Sequence, residues 1–151
     1  MPVTMEQVHF ALLPEEPDYV AAAALGPEAM PLLQELVAGG DPELATKAAS
    51  LAGLIDDPGA PDVLQAAASS VYPSARVAAA HATRQMSAEL AAPVLTQLVA
   101  DDDAGVRKVA INAVPESATP ELRQALERVV EDDGHAPLRA MARDAADRVR
   151  P

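Results

Sequence analysis

Four leucines, Leu33, Leu64, Leu95 and Leu126, recur at a constant step of 31 residues. The columns beside them keep that step, with Leu32, Val63, Val94 and Ala125 on one side and Leu36, Ala67, Leu98 and Val129 on the other. A second set runs Leu44, Ala75, Val106, then Ala48, Ala79, Ala110, then Leu51, Ala82, Ala113. Several parallel apolar columns at one offset mark an internal repeat, and a repeat decides the fold before any local motif does. Within each unit the apolar positions fall at helical spacing, as in Leu33, Leu36, Val37 and again in Leu44, Ala48, Leu51, so each unit holds two helices.

Start and stop signals agree with that reading. Asp41-Pro42, Asp57-Pro58 and Thr119-Pro120 each offer a side-chain oxygen at the N-cap and a proline where its missing N–H costs nothing. Gly39-Gly40 is expected to end a helix through left-handed backbone. The pattern predicts helices near 4–13, 17–25, 28–38, 41–54, 59–70, 73–85, 89–100, 103–115, 120–131 and 136–149. Residues 1–151 read as a single domain, with 1–26 an irregular N-terminal cap broken by Pro14 and Pro17 and 27–149 four repeat pairs. The last helix slips by one residue, matching Val106-Arg107 to Leu138-Arg139.

Composition changes the picture in three ways. Half of the 151 residues are apolar, enough for a core without staples, and aromatics are only 2%, so strands find little support. Cysteine is absent, which excludes disulfides, thiolate metal sites and thiol chemistry. No apolar run approaches a membrane span and the first residues, MPVTMEQVHF, do not read as a secretion signal, so a cytoplasmic protein is expected.

Charge is uneven. The formal net charge is −12, and residues 1–75 carry 11 carboxylates against Lys47 alone, while residues 76–151 carry 12 against 10 basic residues. Such a surface repels phosphate backbones, so nucleic acid is not an expected partner, whereas a basic protein surface is.

The segment LAAPVLTQLVADDDAGVRKVAINAV, Leu90 to Val114, resembles the short bacterial HEAT-like repeats: helix, acidic turn, then Val-Arg followed by alanines at helical spacing. YPSARVAAAHAT and HAPLRAMARDAADRV are weaker copies, and LATKAASLAGL has Ala45 where the arginine belongs. The resemblance implies an all-α, right-handed α-solenoid of HEAT-like helix pairs over about residues 27–149. It further implies that Arg76, Arg107 and Arg139 pair with acidic turn residues of their own or the neighbouring unit.

Candidate chemistry is sparse. The Asp101-Asp102-Asp103 run has Gly105 and Asn112 where a calcium loop needs ligands, so Asp103 is expected as an N-cap. His9, His81 and His135 lie on different units with no histidine partner one turn away, so no metal site is expected.

In HEAT-like arrays the second helices line the concave side. Propagating Ser50 by the period gives a polar line, Tyr19, Ser50, His81, Asn112 and, after the slip, Asp144. The adjacent column is Lys47, Ala78, Val109, Met141. The polar line invites a Ser-His-Asp reading, but packed helices lie about 8–10 Å apart, too far for equivalent positions to touch, and no nucleophile elbow is present. The expectation is therefore a non-enzymatic module without cofactor, binding a protein or peptide in a groove lined by Tyr19, Lys47, Ser50, His81, Asn112, Met141 and Asp144. The family resemblance leaves two other roles in view: a subunit or chaperone of a cofactor-modifying, bilin-lyase-like enzyme, and a DNA glycosylase, which the charge disfavours.

Overall fold

The computed structural model describes residues 2–149, leaving Met1, Arg150 and Pro151 of the expected single domain outside the described residues. Among the described residues ten α-helices follow one another in the order α1 (Met5–Leu12), α2 (Tyr19–Ala22), α3 (Met30–Ala38), α4 (Pro42–Ala52), α5 (Ala60–Ala68), α6 (Pro73–Ala82), α7 (Ala88–Leu98), α8 (Ala104–Ala113), α9 (Pro120–Asp132) and α10 (Ala136–Arg148). Short 3-10 turns extend α2 at its end (Ala23–Leu25), precede α3 (Pro27–Ala29) and extend α6 (Thr83–Gln85). No strand occurs among the described residues, and every predicted helix has its counterpart.

The helices stack in two layers. Each of α3, α5, α7 and α9 packs on the next, and so does each of α4, α6, α8 and α10, with each pair closed by its own hairpin. This is the pattern of an α-solenoid. One apolar core runs through the stack from Val8 to Val149. The layers are built from residues of different size. The first helices bury Leu33, Leu64, Leu95 and Leu126, the four leucines of the period, whereas α4 and α6 bury Ala45, Ala48, Ala49, Ala52, Ala75, Ala78, Ala79, Ala80 and Ala82. Small side chains bring helix axes together. At Gly53, just past α4, an added Cβ would sit 2.7 Å from the Cβ of Ala82. Each buried leucine contributes about 1.5–3 kcal/mol by leaving water.

Capping is local and readable. Asp41 accepts from the Glu43 and Leu44 N–H groups, Asp103 from that of Val106 and Thr119 from that of Leu122. Asp57 departs from expectation: its carboxylate accepts from the Gly59 N–H at 2.7 Å in a tight turn, and α5 starts only at Ala60. Gly39 also departs, with extended backbone at φ −77° and ψ 175°. The reason lies three residues on, where Pro42 requires an extended Asp41, so the connection runs straight from Gly39 into the next N-cap. The single positive φ among the described residues is at Gly26, 77°, between the two 3-10 turns that join α2 to α3.

A polar ladder ties successive units together. Arg76, Arg107 and Arg139 each donate through Nη1 to the carbonyl six residues back, Ser70, Asp101 and Asp133, at 2.8, 3.0 and 2.7 Å. Arg76 also donates through Nε and Nη2 to both carboxylate oxygens of Asp101, and Arg107 does the same to Asp133, one unit further on. The partners implied by the resemblance are thus divided, carbonyl from the same unit and carboxylate from the next. Ser70, Asp101 and Asp133 themselves accept from the N–H two residues on, fixing each turn. In the first unit buried Ala45 replaces the arginine, and Tyr72 bridges the gap by donating its hydroxyl to the Gly40 carbonyl at 3.0 Å.

Candidate partner-binding face

The face formed by α4, α6, α8 and α10 carries the expected residues, but not in equivalent states. His81 on α6 and Asn112 on α8 are exposed, as is Asp144 on α10. Beside them Val77, Val109 and Met141 are half-buried against the core. Arg84, in the 3-10 turn after α6, donates to the Asn112 carbonyl at 3.3 Å and so fixes the ends of these two helices relative to each other.

At the other end of the line the residues are engaged inside the protein. Lys47, expected to point into the groove, is buried at 7% exposure. Its Nζ donates to the Leu12 carbonyl at 3.0 Å, to the Pro14 carbonyl at 2.8 Å and to the Glu43 carboxylate at 2.8 Å. These three partners correct its assignment: the lysine does point away from its own hairpin, but the segment after α1 lies across it. An ammonium has three donors, and all three are used. Lys47 is therefore a clamp for the end of α1 and the segment that follows it.

Ser50 and Tyr19 belong to the same junction. The Ser50 hydroxyl donates to the Thr46 carbonyl at 3.2 Å, and the Tyr19 hydroxyl shares a hydrogen bond with Ser50. Burial pushes the Tyr19 phenol above its ordinary 10.0, against the smaller lowering effects of Ser50 and the Lys47 charge, so it stays a neutral hydrogen-bonding group at physiological pH. Equivalent positions were expected to be too far apart to touch. Here the length of a tyrosine spans the gap between α2 and α4.

The line thus divides into a structural junction, Tyr19, Lys47 and Ser50, and an accessible stretch, His81, Asn112, Met141 and Asp144. The burial of Lys47 had no local signal, because it depends on a segment 33 to 35 residues earlier in the chain. Thr46 belongs to no column of the period, yet its hydroxyl joins the Pro42 carbonyl to Ser74 of the next unit at 2.7 and 2.9 Å. Among the described residues no group of three His, Asp or Glu side chains could hold a metal ion, and no helix is long and apolar enough to cross a membrane.

A family model for HEAT repeats matches residues 29–115, from the turn before α3 to the end of α8. No curated protein matches the chain. With more than half of its length matched, and with paired helices, two layers and an arginine ladder repeating through and beyond that span, the chain belongs to the HEAT repeat family.

Proposed function

We propose that this protein is a non-enzymatic scaffold whose second-helix face, α4, α6, α8 and α10, binds a protein or peptide with a basic surface. HEAT repeats generally act as protein-interaction scaffolds. The observation that carries the reading to this face is the register of His81 and Asn112, exposed on adjacent helices, beside the half-buried Val77, Val109 and Met141. A polar line next to an apolar one supplies hydrogen bonds and a desolvated contact together, as protein interfaces do. The alanine-rich packing of α4 and α6 favours this layer as the inner side of the curve, since axes held closer on one layer bend the stack toward it.

The selectivity for a basic partner rests on charge. Lys47 is the single lysine or arginine among residues 1–75, and its ammonium is engaged inside the protein. The test is the double variant His81→Arg/Asn112→Arg, which adds bulk and positive charge at exposed positions. Partners captured from the native host by the wild-type protein are expected to be lost, with the helical spectrum and melting temperature retained. Undiminished capture by a folded variant would overturn the assignment of this face.

A further inference from the structure

The N-terminal helices leave a second surface that the HEAT stack does not use. Along α1 and the residue two past it, Glu6, Gln7, Phe10, Ala11 and Pro14 form one helical stripe, and along α2 and its 3-10 extension Asp18, Ala21, Ala22 and Leu25 form another. The two stripes face each other across an open groove of about 610 Å³. Ala22 is buried at its base, whereas Gln7, Phe10, Pro14 and Ala21 are exposed. Phe10, the one phenylalanine of the sequence, stands 77% exposed on its edge, and Leu13 and Val20 in the same segment are exposed as well.

The rim is acidic. Glu6 and Asp18 border the groove, and exposed Glu15 and Glu16 lie in the connection that closes one end. No lysine or arginine occurs among residues 1–46, and the first one, Lys47, is buried beneath that connection. The lysine fixes the end of α1 and the residues just after it on α4, so the α1 rail is held in place. An apolar floor between acidic edges matches an apolar stripe between basic ones.

We infer that this groove docks a short basic amphipathic helix, inserting Leu-like or Phe-like side chains one turn apart between α1 and α2 and setting Lys or Arg against Glu6, Asp18, Glu15 and Glu16. A helix is favoured over an extended strand because both rails present contacts at helical spacing and no sheet edge exists among the described residues. The eight residues of α1 span about 12 Å, room for about two turns of guest helix and two anchors. A second copy of this chain is a poor occupant, because its own N-terminal helices bring the same charge.

This site does not rest on the second-helix reading, and the experiment separates the two. The probe is a fluorescein-labelled peptide of about 15 residues made of Leu and Lys in an amphipathic helical pattern. The controls are the same pattern with Glu for Lys, and the same composition in strict alternation. The Leu/Lys helix is expected to bind at micromolar concentration, gain helicity and shift amide resonances of residues 6–25 rather than those of α6 and α8. Ala21→Arg, which fills an exposed position in the groove, is expected to weaken binding at least tenfold.

Glu6→Gln/Asp18→Asn keeps the α2 cap oxygen, removes two rim charges and is expected to weaken binding about fivefold. Glu89→Gln/Glu121→Gln, which removes two exposed carboxylates elsewhere, should leave it unchanged. Several results would overturn the proposal: no binding by the wild type, equal binding of the Glu peptide or the alternating peptide, undiminished binding by Ala21→Arg, or shifts centred on α6 and α8. Sedimentation of the wild type as a dimer that Phe10→Ser dissociates would also overturn it, by assigning the groove to a second copy.

Discussion

Arg107 reaches from α8 to Asp133 at the far end of the next hairpin and holds both of its carboxylate oxygens, Nε at 2.7 Å and Nη2 at 3.2 Å. The Asp133 side chain is only 3% exposed and the Arg107 side chain 14%, so the pair is shielded from solvent and salt. Arg107 also donates to the Asp101 and Asp102 carbonyls, which makes one side chain the junction of two turns. Removing the guanidinium strands a buried carboxylate and two carbonyls. Arg107→Ala is expected to cost about 2–4 kcal/mol, and Arg107→Lys nearly as much, because a point-like ammonium cannot reproduce the two-pronged contact. Chemical denaturation of Arg107→Ala, Asp133→Asn and the double variant checks this, with the double costing less than the sum of the singles. Strict additivity would show that the two residues act separately.

Acid should attack the same contact. Burial alone would raise the Asp133 carboxyl, but hydrogen bonds from Arg107 and the His135 N–H, with the Arg107 charge, outweigh it and hold the group below its ordinary 3.8. In the window between the lowered folded value and 3.8 the unfolded chain binds more protons than the folded one, so stability rises with pH there. The contribution is present above 3.8 and is lost as pH falls through the folded value. Wild type and Asp133→Asn should therefore differ in urea midpoint at neutral pH and converge on acidification. A gap that stays constant down to about pH 2 would contradict the linkage.

Gly53 carries a steric constraint. Its backbone, φ −66° and ψ −19°, suits any residue, yet an added Cβ would meet the Ala82 Cβ at 2.7 Å and the Ala82 carbonyl oxygen at 3.0 Å. Neither can swing aside. Gly53→Ala is expected to destabilise by about 1–3 kcal/mol despite the gain in chain stiffness that alanine brings. Gly40→Ala, where nothing lies within 4 Å, is the control and should be close to neutral. Thermal melts of the two variants distinguish them, and equal melting temperatures would refute the close approach of α4 and α6.

These cases mark what periodicity can and cannot reveal. The columns through Leu33 and Ala48 located the helices because every unit buries the same faces, and Arg107 was conspicuous because it repeats as Arg76 and Arg139. Gly53 repeats nowhere: its counterparts one and two units on are Arg84 and Pro115. Asp57 had the composition of an N-cap but not its position, since the Gly59 turn takes the oxygen first. The N-terminal groove had a faint signal in the helical spacing of Gln7, Ala11, Pro14 and of Asp18, Ala22, Leu25. Whether two such stripes close on each other depends on how the link between them turns, and that is a long-range outcome.

Lys47 was the largest departure from the local pattern, and it makes a separable prediction. On helical spacing alone it faces outward, but the Leu12 and Pro14 carbonyls lie over it and take two of its protons. Lys47→Met keeps the aliphatic stem and leaves both carbonyls without their donor, at an expected cost of about 2–3 kcal/mol. In a stack where each unit touches only its neighbours, that cost should stay local. Hydrogen exchange is expected to accelerate for α1 and α2 while α7 to α10 keep their protection, and the Leu/Lys probe should lose affinity because its α1 rail is no longer held. Uniform acceleration along the whole chain would show instead that the N-terminal helices and the stack unfold as one cooperative unit.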